Sequence, residues 1–221
     1  MTKARDTANI IKQPFTQTLG TSNYRAGVNA GNSITSGGNY NVTVGDEAGT
    51  AITTGDYNTA VGMDSAKAIT TGIKNTAIGS TALDAEVAGN YSTAIGMGAL
   101  TTQSQSGDVD VYNTAVGYLA GGAVTTGTLN TFVGGLAGDA LTVGGSNVSL
   151  GYFSLTADTK GSKSVAVGTA ALGDQNFTSA TDAFNVAIGQ EAGRSVTTGT
   201  LNTLIGGLAG DAITTARATT A

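Results

Sequence analysis

A five-residue motif that recurs at a regular period constrains this chain more than any other feature. Its clearest copies are Asn-Thr-Ala-Val-Gly at 58–62 and Asn-Thr-Ala-Ile-Gly at 75–79. The closing glycine, called the marker glycine below, recurs at sequence intervals of 18, 17, 17, 17, 21, 17, 17, 17, 21 and 17. A period of this size predicts a solenoid in which each unit is one coil stacked on the next. The eleven marker glycines are Gly27, Gly45, Gly62, Gly79, Gly96, Gly117, Gly134, Gly151, Gly168, Gly189 and Gly206.

The composition agrees with narrow stacked coils. The 221 residues include 34 glycines, one proline and no tryptophan, and only 11% are charged, against roughly 25% in ordinary soluble domains. The chain lacks cysteine and histidine, which excludes disulfides, thiolate metal sites and imidazole chemistry. The N-terminal segment has no apolar run typical of a secretory signal, and no stretch is long enough for a transmembrane helix. No basic cluster indicates nucleic-acid binding.

Alternation around the marker glycine predicts a short strand in each coil. Counting from the marker, positions −3 and −1 share one face and are mostly Thr, Val or Ile, which favour strands. The alanine at +3 is small enough for a tight corner, and a second short strand is expected around the aliphatic residue at +7. We therefore expect position −1 to form the core. Its residues are Val44, Val61, Ile78, Ile95, Val116, Val133, Leu150, Val167, Ile188 and Ile205.

Asparagine at position −4 predicts an internal ladder. It occurs in nine of the eleven units, with serine at 92 and 164. Stacked side-chain amides can bond to the next coil or to their own turn. Asparagine also occurs simply as a turn residue, but the recurrence favours the ladder. The predicted ladder residues are Asn41, Asn58, Asn75, Asn113, Asn130, Asn147, Asn185 and Asn202.

Position −2 is expected to face away from the core. A free surface would normally carry charges, whereas this position is alanine in six units, so we interpret the stripe as a candidate contact between three chains. The residues of this candidate trimer face are Ala60, Ala77, Ala94, Ala115, Ala166 and Ala187.

A second, 72-residue repeat lies on the first, from Gly45 to Gly117 and from Gly117 to Gly189. The two 21-residue steps place four extra residues in loops at about 101–111 and 173–183, which are interpreted either as recognition loops or as tolerated insertions. The expected organisation is an N-terminal attachment arm over 1–20, with a short helix over 2–11, a β-helical domain over 21–216 and a C-terminal tail over 217–221. The arm is equally open to interpretation as a frayed terminus.

The Asn-Thr-Ala-Val-Gly motif followed by Ala and Thr-Thr-Gly resembles two families. One is the head of trimeric autotransporter adhesins. The closer one is the repeat region of bacteriophage tail fibres and related virion proteins, whose Gly-x-x-Ala-Leu pattern recurs at 79–83, 96–100 and 168–172. The resemblance covers about residues 21–215 and implies parallel β-coils, commonly in a homotrimer. The adhesin heads have shorter coils, a signal peptide and a membrane anchor, none of which is recognised in this sequence.

These observations predict a structural virion protein rather than an enzyme. We expect an all-β, parallel β-helix or β-roll of about eleven coils, homotrimeric and without a cofactor or metal. It would be a tail-fibre, spike or capsid-decoration component attached to other virion proteins through residues 1–20, and would contact a host glycan or none. The Gly-Gly-Leu-Ala-Gly-Asp segments at 134–139 and 206–211 lack the Gly-Lys-Ser/Thr of a P-loop and are interpreted as turns. An adhesin and an ice- or glycan-binding solenoid are the alternatives.

Overall fold

The computed structural model describes residues 20–221 as a parallel β-solenoid of about eleven coils, with no helix among them. Eleven three-residue strands form one sheet, in the order β1-β2-β3-β4-β6-β8-β9-β10-β12-β14-β15. The bounds are β1 Tyr24–Ala26, β2 Val42–Val44, β3 Thr59–Val61, β4 Thr76–Ile78, β5 Gly89–Asn90, β6 Thr93–Ile95, β7 Val109–Asp110, β8 Thr114–Val116, β9 Thr131–Val133, β10 Val148–Leu150, β11 Gly161–Ser162, β12 Val165–Val167, β13 Thr181–Asp182, β14 Val186–Ile188 and β15 Thr203–Ile205. The predicted arm, with its helix, lies outside the described residues except for Gly20.

Successive coils stack in register, with like side chains on like. Ala60 is the partner of Ala77, and Val61 is the partner of Ile78, in the parallel pair β3–β4. The same register holds across the 21-residue step, where Ala94 pairs with Ala115. The predicted stacking of equivalent residues is therefore confirmed. At about 4.8 Å per paired strand, eleven coils make a body roughly 50 Å long.

The two faces of the sheet are the reverse of those predicted. Ala60 and Ala77 are fully buried, whereas Ile78 is 38% exposed and Ile205 is 61% exposed. Position −2 is thus the interior, and the expected core at −1 points outward with −3. Side chains alternate along a strand, so only the middle residue of each three-residue strand points inward, and this position accommodates Phe132 and Leu204 as well as alanine. The residues expected in the core face outward instead: Val44, Val61, Ile78, Ile95, Val116, Val133, Leu150, Val167, Ile188 and Ile205. The residues expected at the trimer face line the interior instead: Ala60, Ala77, Ala94, Ala115, Ala166 and Ala187.

Apart from the two-residue strands β5, β7, β11 and β13 in the coils that border the insertions, the other side of each coil is made of turns. The residue at +7 is buried, as for Ile52 and Ile69, but it is not part of a strand. The alanine at +3 is also buried, as predicted, in Ala48 and Ala82. The prediction of a second strand at +7 is wrong, because a chain that alternates left- and right-handed residues turns too sharply to extend there. Glu47 and Gly49, for instance, have φ of 60° and 56°.

The marker glycines form a column along the axis of the solenoid. Gly62 has φ of +131°, and a Cβ at this position would lie 2.7 Å from both the carbonyl carbon and the carbonyl oxygen of Gly79 in the next coil. The backbone conformation and the close stacking therefore both require glycine. This explains why the marker is the one residue type that never varies among the eleven units.

Large and small side chains alternate inside the coil so that its volume stays filled. Where the strand carries Ala77, Leu83 fills the position four after the marker, and both are fully buried. Where the strand carries Phe132, that position is Gly138, whose added Cβ would lie 2.3 Å from the Phe132 ring. Compensation also crosses coils, because the Phe132 ring lies 2.8 Å from an added Cβ at Gly121 in the preceding coil, whose strand carries Ala115. The interior is thereby filled as expected for a close-packed protein core.

Residues 217–221 continue the stack instead of forming a separate tail. Thr220 forms a parallel bridge with Thr203, and the Thr219 amide donates to Oδ1 of Asn202 at 2.9 Å. Thr219 thus occupies the asparagine position of the motif and uses only its backbone there. The predicted domain boundary at 216 is not a structural boundary.

Candidate functional site

The asparagine ladder predicted from the sequence is present inside the solenoid. The backbone N–H of Asn75 donates to Oδ1 of Asn58 at 3.0 Å, and Nδ2 of Asn58 donates to the carbonyl of Gly72 at 2.8 Å. Each side-chain amide thus bonds to two groups of the next coil: the N–H at its asparagine position and a carbonyl in the turn just before that position. Equivalent contacts are made by Asn41, Asn113, Asn130, Asn147, Asn185 and Asn202. The side chains are buried, so the ladder is structural and offers no surface to a ligand.

A buried carboxylate lies beside the ladder without a cation. Oε1 of Glu86 accepts the backbone N–H groups of Val87, Ala88, Gly89 and Gln105 at 2.7–3.1 Å. The side chain is fully buried. Backbone N–H groups that converge on one oxygen can hold an anion in a low-dielectric interior. The carboxylate therefore serves as the acceptor for three backbone donors of its own turn and for one from the next coil.

A glutamine links this carboxylate to the ladder. Nε2 of Gln103 donates to Oε2 of Glu86 at 2.8 Å and to the hydroxyl of Ser92 at 2.9 Å, while its Oε1 accepts from Nδ2 of Asn113 at 2.8 Å. Gln103 thus bridges the coil in which serine replaces asparagine. The duplicate network, in the next 72-residue block, contains Asp158, Ser164, Gln175 and Asn185.

Sequence reasoning missed these four polar residues. They occupy position +7 in the four units that lack an aliphatic residue there, as Glu86, Gln103, Asp158 and Gln175. The signal was the spacing, because Glu86–Asp158 and Gln103–Gln175 are each separated by the 72-residue repeat. Both networks border a 21-residue step, so they support the backbone where the longer coil departs from the regular path.

The outward face of the eleven-stranded sheet is an uncharged, partly apolar surface. None of its outward positions, at −3 and −1 of each strand, is charged. Leu150 and Ile188 are 44% and 40% exposed. Five neighbouring strands, β3, β4, β6, β8 and β9, have threonine at −3 and valine or isoleucine at −1. With about 4.8 Å per strand and about 10 Å per three residues, this face measures roughly 500 Å². We call it the outer face.

A second exposed row follows one corner, at position −5 of each coil. We call it the corner ladder, and each member has positive φ, for example 58° at Tyr57 and 56° at Lys74. Its aromatic members stack in pairs: the rings of Tyr40 and Tyr57 have centroids 4.9 Å apart, with planes 11° apart. The members are Tyr40, Tyr57, Lys74, Tyr91, Tyr112, Leu129, Ser146, Lys163, Phe184 and Leu201.

The charges along the corner ladder interact with its rings. Nζ of Lys74 lies 4.9 Å from the Tyr91 ring centroid and donates to its hydroxyl at 3.1 Å, which raises the pKa of Lys74. The Tyr112 hydroxyl donates to Asp110 at 3.3 Å. Desolvation by neighbouring groups and the negative charge of Asp110 raise the pKa of the Tyr112 phenol. The ladder is therefore an ordered row of phenols and ammonium groups.

The two insertions are pinned to the solenoid instead of projecting freely. Strand β7 pairs with β5 in the first, and β13 pairs with β11 in the second. Nδ2 of Asn90 donates to Asp108 at 2.6 Å and to Asp110 at 3.2 Å, so this acidic pair is bonded to the preceding coil. Lys163 forms a 2.6 Å ion pair with Asp182 in the second. The exposed tips are residues 106–110 and 178–180.

The described part of the chain contains neither of two other kinds of site, a metal cluster and a membrane-spanning helix. Residues 20–221 contain no cluster of three side chains suited to a metal ion and no helix able to cross a membrane. The Gly-Gly-Leu-Ala-Gly-Asp segments form turns.

Comparison with known proteins gives no relative. No family model, curated protein or solved structure matches this chain. The functional argument therefore depends on the two surfaces, the outer face and the corner ladder.

Proposed function

We propose that this protein is a non-catalytic structural component of a bacteriophage virion, in which three copies associate through the outer face. The observation that carries the proposal is the uncharged sheet face, which exposes Ile78, Ile95, Leu150, Ile188 and Ile205 to solvent. Large contiguous apolar patches on soluble proteins mark interaction surfaces. The motif resemblance to phage fibre repeats supports the same assembly.

The outer face supplies part of a homotrimer interface. Three faces of roughly 500 Å² each would bury about 1,500 Å² in the whole trimer, or about 500 Å² for each pairwise contact, which is below the usual size of a stable interface. The corners that adjoin the outer face must therefore contribute to the contact as well. Threefold symmetry would align the axes of three solenoids, so the ranks of valine and isoleucine would meet along the whole length. The association surface moves from the alanine stripe predicted from the sequence to the opposite face of the same strands.

The mechanism is mechanical. Every coil bonds its backbone to the coils above and below, and the asparagine ladder adds a side-chain bond at each step. A rod of this kind resists bending and local unfolding because an internal coil cannot unfold without breaking its hydrogen bonds to both neighbouring coils. Residues 1–20 would attach it to other virion proteins, and the loop tips at 106–110 and 178–180 would meet the host surface or an adjacent subunit.

The mass of the protein in solution tests this proposal. Light scattering coupled to size-exclusion chromatography is expected to give three times the chain mass of 21.7 kDa. Cryo-electron microscopy of the particle that carries the protein would then place it on tail or capsid. A monomer at micromolar concentration would overturn the trimer. A capsid-bound cement protein with no receptor role would differ only in location and in failing to bind host cells.

One specific observation favours a second candidate, an ice-binding solenoid. Thr59, Thr76, Thr93, Thr114 and Thr131 form an outward rank at about 4.8 Å spacing on five neighbouring strands. Regular hydroxyls alternating with methyl-rich side chains can order water. This function requires a free outer face and hence a monomer. Thermal hysteresis in a monomeric sample would support it, and its absence from a trimer would favour the structural role.

A further inference from the structure

Two pairs of tyrosines in the corner ladder are stacked and open to solvent. Tyr40 and Tyr57 have ring centroids 4.9 Å apart, as do Tyr91 and Tyr112. Tyr40, Tyr57 and Tyr112 are 49%, 52% and 49% exposed. The two tyrosines of each pair belong to successive coils. Tyr40 and Tyr57 are one regular repeat apart, and Tyr91 and Tyr112 are one extended repeat apart.

The stacked geometry holds the two phenol rings of each pair side by side. The planes of each pair are 11° or 12° apart, so the two rings are nearly parallel. With centroids 4.9 Å apart in both pairs, the carbons ortho to the two hydroxyls can meet after a rotation of the side chains. Stacking covers one face of each ring, and Tyr91 is half-buried while the other three tyrosines are exposed.

We propose that the corner ladder is a site of oxidative modification, at which each stacked pair is converted to a dityrosine cross-link. A one-electron oxidant removes one electron and one proton from each phenol. The two phenoxyl radicals couple through their ortho carbons, and the two ring hydrogens move to the oxygens to restore both phenols. The oxidant class is a haem peroxidase with hydrogen peroxide, which accepts the two electrons and two protons and becomes two molecules of water.

The surroundings of the Tyr91–Tyr112 pair supply a proton acceptor for this chemistry. Asp110 accepts the hydroxyl hydrogen bond of Tyr112 at 3.3 Å and can receive its proton as the electron leaves. Lys74 separates the two pairs, so Tyr57 and Tyr91 lie two coils apart and should not couple. The product would be two covalent links between adjacent coils of one chain. A cross-link of this kind restricts the unfolded chain more than the folded one and so raises stability.

The experiment treats the full-length protein with horseradish peroxidase and hydrogen peroxide and follows dityrosine fluorescence and peptide mass spectra. We expect linked peptides for Tyr40–Tyr57 and for Tyr91–Tyr112, each with the loss of two hydrogens. Tyr24, Tyr118 and Tyr152 are internal controls, because they are 53%, 50% and 52% exposed but no tyrosine occupies the same position in an adjacent coil. Links that involve these three as often as the stacked pairs would overturn the proposal.

Three variants separate chemistry from packing. Tyr57→Phe keeps the ring but lacks the phenol, so the first link should vanish and the fluorescence should fall by about half. Tyr91→Phe should do the same to the second link. Lys74→Tyr would complete the row and should add links from residue 74 to its neighbours. Unchanged fluorescence in both phenylalanine variants would contradict the assignment.

Isotope mixing distinguishes this site from the proposed trimer. Equal amounts of nitrogen-15-labelled and unlabelled chains are unfolded together, refolded and oxidised. Links within one chain give peptides that are wholly labelled or wholly unlabelled, whether the protein is a monomer or a trimer. Predominantly mixed pairs would show coupling between chains and would refute the geometry argued here. A higher melting temperature after oxidation, absent from the double phenylalanine variant, is the expected consequence.

Discussion

Nε2 of Gln103 donates a 2.8 Å hydrogen bond to Oε2 of Glu86, and both side chains are fully buried one coil apart. In the next 72-residue block, Gln175 donates to Asp158 at 2.6 Å in the same way. A buried carboxylate without a cation is costly unless its oxygens are fully bonded. The duplicated pair shows that the long coils are supported by a specific polar network.

The Glu86 network can be tested by an amide replacement and an exchange. Glu86→Gln should lower the free energy of unfolding by about 1–3 kcal/mol, because an N–H₂ group would face an existing donor. In the exchanged double variant Glu86→Gln/Gln103→Glu, the acceptor and the donor trade places and part of the loss should return. Chemical denaturation of the wild type, of Glu86→Gln, of Gln103→Glu and of the double variant measures the coupling free energy. Strict additivity of the two single changes would show that the pair is not coupled.

The asparagine ladder should be sensitive at any central step. Asn58→Ala removes the acceptor for the Asn75 N–H and the donor to Gly72, both buried, so we expect a loss of about 2–5 kcal/mol. Asn176→Ala is the matched control, since this half-buried side chain accepts a single bond from Thr159. Urea unfolding curves compare them. Equal midpoints for the two variants would mean that the ladder adds no stability.

The marker glycine should tolerate no side chain. Gly62→Ala places a Cβ 2.7 Å from the Gly79 carbonyl at a φ of +131°, and left-handed strain alone costs about 1–3 kcal/mol. The control is Gly107→Ala in the first insertion, where nothing lies within 4 Å of an added Cβ; this change should stay within about 0.5 kcal/mol. Differential scanning calorimetry reports both. A cooperative, wild-type-like transition for Gly62→Ala would refute the close stacking.

Within one coil, a large side chain at the middle of the strand should be replaceable by a large side chain four residues after the marker glycine. Phe132→Ala leaves a cavity and should cost about 3–5 kcal/mol. Adding Gly138→Leu recreates the arrangement of Ala77 and Leu83, whose φ of 53° is close to the 58° of Gly138. The double variant should therefore regain at least half of the loss, while Gly138→Leu alone should be worse than either. The rescue, measured by denaturation, fails if the two sites are independent.

Charge on the outer face should separate the proposed trimer. Ile78→Lys with Ile95→Lys would bring six ammonium groups together along the threefold axis, and monomers are expected by light scattering. Met63→Lys with Met97→Lys is the control, because these methionines are 55% and 52% exposed but follow the marker glycine, off the sheet. Circular dichroism should show that both variants fold. A trimer that survives the isoleucine changes would place the interface elsewhere.

The sequence predicts the solenoid well and its faces badly, for identifiable reasons. The 17-residue period determines the number of coils and the register, and the asparagine recurrence identifies a ladder that the structure contains. Alternation shows that Ala60 and Val61 lie on opposite faces, but it does not say which is inside. The usual rule that larger apolar residues are buried fails because only the middle side chain of each strand points inward, while much of the interior volume is filled from the turns by residues such as Ile52 and Leu83.

The polar networks and surface rows could not be predicted for a related reason. Glu86 and Asp158 break the aliphatic pattern at +7, and nothing local distinguishes a buried carboxylate from an exposed one. Their role depends on backbone N–H groups that converge only after the coil has closed. The stacking of Tyr40 on Tyr57 likewise follows from the coil spacing. It is not evident from the sequence because a full repeat separates the two residues.

The 72-residue duplication has a consequence for the size of the molecule. Gly45, Gly117 and Gly189 all have positive φ and stack on the next marker glycine, so excising the segment from one to the next would rejoin matching backbone ends and remove one polar network. Rod length is thus quantised in increments of four coils, about 19 Å each. Recombination between such blocks would lengthen or shorten the protein and would create no junction of a new kind. The length of the rod can therefore evolve in steps of one block.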